Sequence, residues 1–151
     1  MKTESTRRGA LAAIGLGALG AGIAHPLAAA ETTPAEKANI EVVNGFIASW
    51  PGHDTAKIMS FFAENCAYRM TETTEPNKGR EAVTSRIAAL APTVEGFEVL
   101  DTWARGPMVI NERIDRFTSG ALKSWHGVGV FFLRDGKIVE WYDYTVAMER
   151  R

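Results

Sequence analysis

Hydrophobic and polar positions change rhythm once along the chain, from a helical period to a strand period. In "TTPAEKANIEVVNGFIASW" the residues Ile40, Val43, Ile47 and Trp50 recur at helical spacing and give one apolar face. The segment opens with a T-x-x-E capping box, Thr33 to Glu36, with Pro34 at the first helical position. After Pro51 and Gly52, Asp54 can cap a second short helix running through Phe62. "CAYRMT" reads as a strand, and residues 79–90 as a third helix with Val83, Ile87 and Leu90 on its buried stripe. From Phe97 onward the pattern predicts strands at about 97–105, 107–118, 123–134 and 137–147, with Asp135-Gly136 as a two-residue hairpin turn between the last two. Helices first and an antiparallel sheet afterwards imply an α+β domain with helices covering one sheet face.

Two of these strands fail the alternation expected of a half-buried strand. In "MVINERIDRF" one side carries Val109, Asn111, Arg113, Asp115 and Phe117, and the other carries Ile110, Glu112, Ile114 and Arg116. Whichever side packs on the core takes charge inward. In "KIVEWYDYTVAM" Asp143 shares a face with Val139, Trp141, Thr145 and Ala147, while Ile138, Glu140, Tyr142, Tyr144 and Val146 take the other. If the faces bearing Arg113, Asp115 and Asp143 line one cavity, two carboxylates meet one guanidinium able to bond both. Such a set can hold one acid protonated and the other ionised, as acid–base catalysis requires. Spacing alone leaves two other readings open: a buried salt-bridge network, or edge charges that never meet.

Composition narrows the picture further. A chain of 151 residues with 46% apolar residues suffices for one domain and one core. A formal charge of −1 provides no basic patch for nucleic acid. Residues 1–30 stand apart: Arg7 and Arg8 precede an apolar Gly/Ala-rich run, Gly9 to Ala24, which ends at an A-x-A site, Ala28 to Ala30. This predicts an export signal of twin-arginine type, cleaved before Glu31, leaving residues 31–151 as the domain, exported and without a membrane anchor. "GLGALG" within it matches G-x-G-x-x-G but follows no strand, so no dinucleotide site is read there. Cleavage removes three of 17 basic and one of 18 acidic residues, leaving a formal charge of −3. A single cysteine, Cys66, excludes an internal disulfide and reads as a small buried hydrophobe. No His/Cys/Asp grouping has metal-ligand spacing, and no metal or other cofactor is expected. His126 is expected opposite Trp125 and Gly127, and His53 at the surface. The aromatic set Phe46, Trp50, Phe61, Phe62, Trp103, Phe131 and Trp141 is expected in the core, with some members lining a pocket.

The set "FFAENCAY", "GREAV", "NERID" and "GVFFLRDGKIVEWYDY" resembles the limonene-1,2-epoxide hydrolase family within the nuclear transport factor 2-like, or SnoaL-like, superfamily, over most of residues 37–147. That resemblance implies a cone-shaped, curved mixed sheet around a deep pocket closed by N-terminal helices, and it implies a homodimer. It also implies roles: Asp115 of the R-x-D pair protonates an epoxide oxygen, Asp143 of W-x-D-Y deprotonates the attacking water, Arg113 bridges them, and Tyr68 holds the water. Trp125, Gly127 and Trp141 fall among the candidate pocket positions. Met70 falls where the family has a second water-holding residue, an asparagine. A methionine cannot serve there, and Asn77, in a following loop, is the candidate replacement, since Thr71 points to the other face of a regular strand. The implied activity is cofactor-free hydrolysis of an epoxide in a small hydrophobic molecule. The alternatives are a cyclase or isomerase acting on a carbon acid, which needs no positioned water, and an exported lipophile-binding protein without catalysis.

Overall fold

The computed structural model describes residues 31–150. The expected export signal, residues 1–30, lies outside them. Helix α1 (Pro34–Ala48) starts as its sequence demands: Thr33 Oγ1 accepts from Glu36 N at 3.2 Å, and Thr33 N donates to Glu36 Oε2 at 2.8 Å. The other Glu36 oxygen accepts from Gly106 N at 2.7 Å, so the cap also fastens the helix to a distant hairpin turn. A 3₁₀ turn (Trp50–Gly52) leads to α2 (Thr55–Met59), capped by Asp54. Strands β1 (Phe62–Arg69) and β2 (Asn77–Lys78) follow, then α3 (Arg80–Leu90) and a second 3₁₀ turn. Four long strands complete the domain: β3 (Val94–Arg105), β4 (Met108–Phe117), β5 (Leu122–Arg134) and β6 (Lys137–Arg150).

The six strands form one curved, open sheet in the order β2-β1-β6-β5-β4-β3. Only β1 and β6 run parallel, which makes the sheet mixed as the resemblance implied. At the β5–β6 turn Asp135 and Gly136 both take positive φ, at 51° and 71°, the backbone that a two-residue hairpin needs. The core lies between the helices and one face of the sheet. Phe46 of α1 is its hub, meeting Trp50, Phe61, Phe62, Phe131 and Trp141 edge-on at centroid distances of 5.0–6.2 Å.

Several expectations need correction. The second helix stops at Met59 instead of Phe62, because the apolar pair Phe61-Phe62 turns the chain into β1, four residues earlier than "CAYRMT" suggested. Strand β3 begins at Val94, and β6 continues to Arg150. The two-residue strand β2 carries no periodic signal. Ile138 is buried beside Trp141 although parity places them on opposite faces; a register shift between their pairings reverses the side. Trp103 is 49% exposed on the outer sheet face instead of entering the core.

Candidate active site

On β4 the charged side turns inward. Val109, Asn111, Arg113 and Asp115 are buried in succession, with Ile110, Glu112 and Ile114 only half-buried on the outside. Asp143 of β6 faces the same interior. Arg113 is completely buried and bridges the two carboxylates. Its Nη2 donates to Asp143 Oδ1 at 3.0 Å, and its Nε lies 3.0 Å from Asp115 Oδ1 without being aimed at it. Trp141 Nε1 donates to the same Asp143 oxygen at 2.7 Å. Both bonds end on Oδ1, so Oδ2 is the oxygen left for a ligand. The Arg113 guanidinium lies 5.3–5.6 Å from the centres of the Phe97, Trp125 and Trp141 rings, which pack around the buried cation.

Two glycines in β5 make room for this arrangement. Gly129 sits opposite Asp143, and a Cβ there would lie 2.5 Å from Arg113 Nη1. Gly127 sits opposite Arg113, and a Cβ there would lie 2.0 Å from the Trp125 ring. Glycine normally weakens a strand interior. Here both positions accept close approach of a neighbouring side chain.

Burial raises the proton affinity of both carboxylates. Burial pushes Asp115 up to about 7, the Arg113 charge opposes that rise, and the nearby Asp143 charge adds to it. Burial also raises Asp143, to about 6, against Arg113 and the Trp141 hydrogen bond. Burial opposes the Arg113 charge, yet the two carboxylates outweigh it and raise its proton affinity. Tyr68 is buried, its ring stacked on Trp141 at 3.9 Å, and its hydroxyl is raised well above its usual range by burial and then by Asp143.

These groups meet a cavity of about 230 Å³ whose wall is otherwise mainly apolar. Asp115, Asp143, Tyr68, Met70, Trp125 and Trp141 line it. Arg113 lies behind the wall. Gly127 does not line it either, since the Trp125 ring covers it. Thr71 does line it, because β1 ends at Arg69 and alternation no longer governs the next residues. Asn77 does not reach in; it belongs to β2 and its Nδ2 donates to the Tyr68 carbonyl at 3.3 Å. His126 faces outward, pairing with Glu112 at 2.8 Å. Phe97, Leu122 and Met148 are wall residues that sequence reasoning missed. Phe97 and Leu122 carried a usable signal, namely apolar residues where strands enter the sheet; Met148 turns inward only after a register shift in β6.

The SnoaL-like domain family matches residues 43–141, most of the described chain. The chain belongs to this family. Among solved structures, this SnoaL-like domain is similar to an LEH-like epoxide hydrolase of Mycobacterium tuberculosis, at 24% identity and TM-score 0.64, over 74% of this chain and 85% of the other. It is also similar to a protein of Jannaschia sp. CCS1 provisionally named a SnoaL-like polyketide cyclase, at 16% identity and TM-score 0.66, over 77% and 90%. A de novo designed protein with a curved β-sheet aligns at 18% identity and TM-score 0.62, over 72% and 85%. These likenesses establish the fold of the SnoaL-like domain.

Proposed function

We propose that this SnoaL-like protein hydrolyses an epoxide in a small hydrophobic molecule, with water as the only co-reactant and no cofactor. The observation that carries the reading is Arg113 within 3.0 Å of both carboxylates at the wall of an apolar cavity. Asp143, whose Oδ1 accepts from Arg113 and Trp141, removes a proton from water at its free Oδ2. The water oxygen attacks one ring carbon, the carbon–oxygen bond breaks, and Asp115 gives its proton to the departing oxygen. A vicinal diol forms. Asp143 then carries the proton that Asp115 lost, and return of that proton resets the pair. Tyr68 is the hydroxyl available to hold the water. Burial raises both acids and Arg113 opposes the rise at both; the Trp141 hydrogen bond reaches Asp143 alone and favours its ionised form.

A second reading, a cyclase or isomerase acting on a carbon acid, draws support from the water site. Met70 presents its sulfur to Arg86 Nη2, and Asn77 is engaged elsewhere, so neither stands in for an asparagine. A panel of apolar epoxides in ¹⁸O-labelled water tests both. Hydrolysis predicts labelled diol, a loss of about 10²–10⁴-fold in Asp115→Asn and in Asp143→Asn, and a gain in Met70→Asn. If no epoxide turns over and a carbon-acid substrate does so only with both aspartates intact, the second reading replaces the first.

A further inference from the structure

Among the described residues, Arg86 is a charged group beside the cavity with no carboxylate within ion-pair distance. Arg86 lies on α3 four residues before Leu90, on the same helix face. Leu90 lines the cavity, and so does Met70, whose Sδ receives the hydrogen bond from Arg86 Nη2. The guanidinium therefore stands directly behind the wall that these two side chains make, half-withdrawn from solvent. Of the other partly or fully buried arginines, Arg80 has Glu64 and three backbone carbonyls and Arg113 has two aspartates; Arg69, which does not line the cavity, lies over the Tyr142 and Tyr144 rings with Nε and Nη2 buried without a hydrogen-bond partner. Arg86 has a thioether, which is a weak acceptor. Its charge is felt inside the cavity, where it partly offsets the rise in proton affinity of the Tyr68 hydroxyl.

We propose that Arg86 is an anion subsite at the Met70–Leu90 wall of the cavity, so that the ligand is an amphipathic molecule with a carboxylate at that wall and an apolar body reaching toward Asp115 and Asp143. A guanidinium prefers a planar, two-oxygen acceptor to a sulfur. A flexible methionine can swing aside to admit one. The apolar remainder of the wall suits the body of the molecule. The same contact would fix which end of the ligand enters first, and so which carbon meets the two acids. The proposal rests on the cavity being the substrate site and not on the reaction performed there.

The test is binding, followed by quenching of tryptophan fluorescence, since Trp50, Trp125 and Trp141 line the cavity. The probes are 4-phenylbutyrate and its neutral amide at pH 6, where the acid is ionised and Asp115 still holds its proton. The wild-type chain is expected to bind the acid at least about ten-fold more tightly than the amide. Arg86→Gln is expected to lose that preference while keeping its affinity for the amide. Arg86→Met, which removes the charge and keeps an unbranched side chain against the Met70 and Leu90 wall, is expected to lose the preference likewise, and it decides the matter if Arg86→Gln does not fold. Equal affinities in wild type, no saturable quenching by either probe, or a preference that survives these substitutions overturns the proposal. Failure of every epoxide to turn over, with the acid preference intact, would count against the hydrolase alone.

Discussion

Burying two carboxylates around one arginine should make the protein less stable as pH rises, and Asp115 should dominate the effect. Its proton affinity moves from an ordinary 3.8 to about 7 on folding, and that figure already includes the pull of Arg113. Ionising the side chain in place therefore costs more than the ion pair returns. At about 1.36 kcal/mol per pH unit the full displacement is worth about 4 kcal/mol. For an acid whose proton affinity is raised on folding, the folded chain retains a proton that the unfolded chain has released. Stability therefore falls as pH climbs from about 4 toward 7 and levels off above. Asp143 acts in the same sense over a narrower window, from 3.8 to about 6. Between pH 5 and pH 8 the expected loss is about 3 kcal/mol from Asp115 and about 1 kcal/mol from Asp143. Urea unfolding at both pH values, followed by tryptophan fluorescence, measures it through the midpoint and slope. Asp115→Asn, which approximates the neutral acid, should keep only the smaller part of the pH dependence and be more stable than wild type at pH 8 while losing activity. A wild-type chain equally or more stable at pH 8, or a variant with an undiminished pH dependence, would refute this account of the site.

Other expectations follow from the same structure and from the sequence. Gly129→Ala should destabilise by about 1–3 kcal/mol and displace Arg113, since the new methyl would sit 2.7 Å from buried Phe131 and 2.5 Å from Arg113 Nη1; thermal unfolding and epoxide turnover should fall together. We propose a homodimer formed through the outer sheet face, where Ile110, Ile114, Val128 and Val130 are only half-buried and Trp103 is largely exposed; light scattering at micromolar concentration should give twice the chain mass, and a monomer mass removes the proposal. We also propose that residues 1–30 direct export and are removed, so mass spectrometry of the exported protein should find Glu31 at or near its start, and retention of Met1 would contradict it.

What the sequence revealed of the fold follows physical lines. Elements set by local chemistry were readable: the Thr33–Glu36 capping box, the Asp135-Gly136 turn and strands β4 and β5 stand where their residues place them. Elements set by long-range pairing were not. Strand β2 exists because Asn77 and Lys78 pair with Tyr68 and Ala67, a contact that leaves no periodic trace. The parallel neighbour of β1 could not be chosen from alternation, since four other strands and a helix lie between it and β6 in the chain. The inner and outer sides of β6 change at register shifts near Val139 and Val146, and parity counting fails on passing each one.

The site was readable for the reason that made its strands look wrong. Charge at an inward position is costly, so a strand that carries Arg113 and Asp115 on its buried side holds a sequence error unless those groups meet a partner. Asp143, on the face of Trp141, was the partner able to complete the set. What remained hidden was the support around it. Gly127 resembled a pocket wall because it shares the inward face of β5, yet its contribution is the volume it leaves for Trp125. Arg86 had no signature, since a charged residue on a short helix is ordinarily solvated. Its interest arises only when folding brings it against the sulfur of Met70, at the position where the family resemblance called for an asparagine. A guanidinium donates hydrogen bonds and accepts none, so it cannot replace an asparagine oxygen in drawing a proton side of water into line. If Met70 and Arg86 act together, the change at Met70 serves ligand orientation, and the water depends on Tyr68 and Asp143 alone.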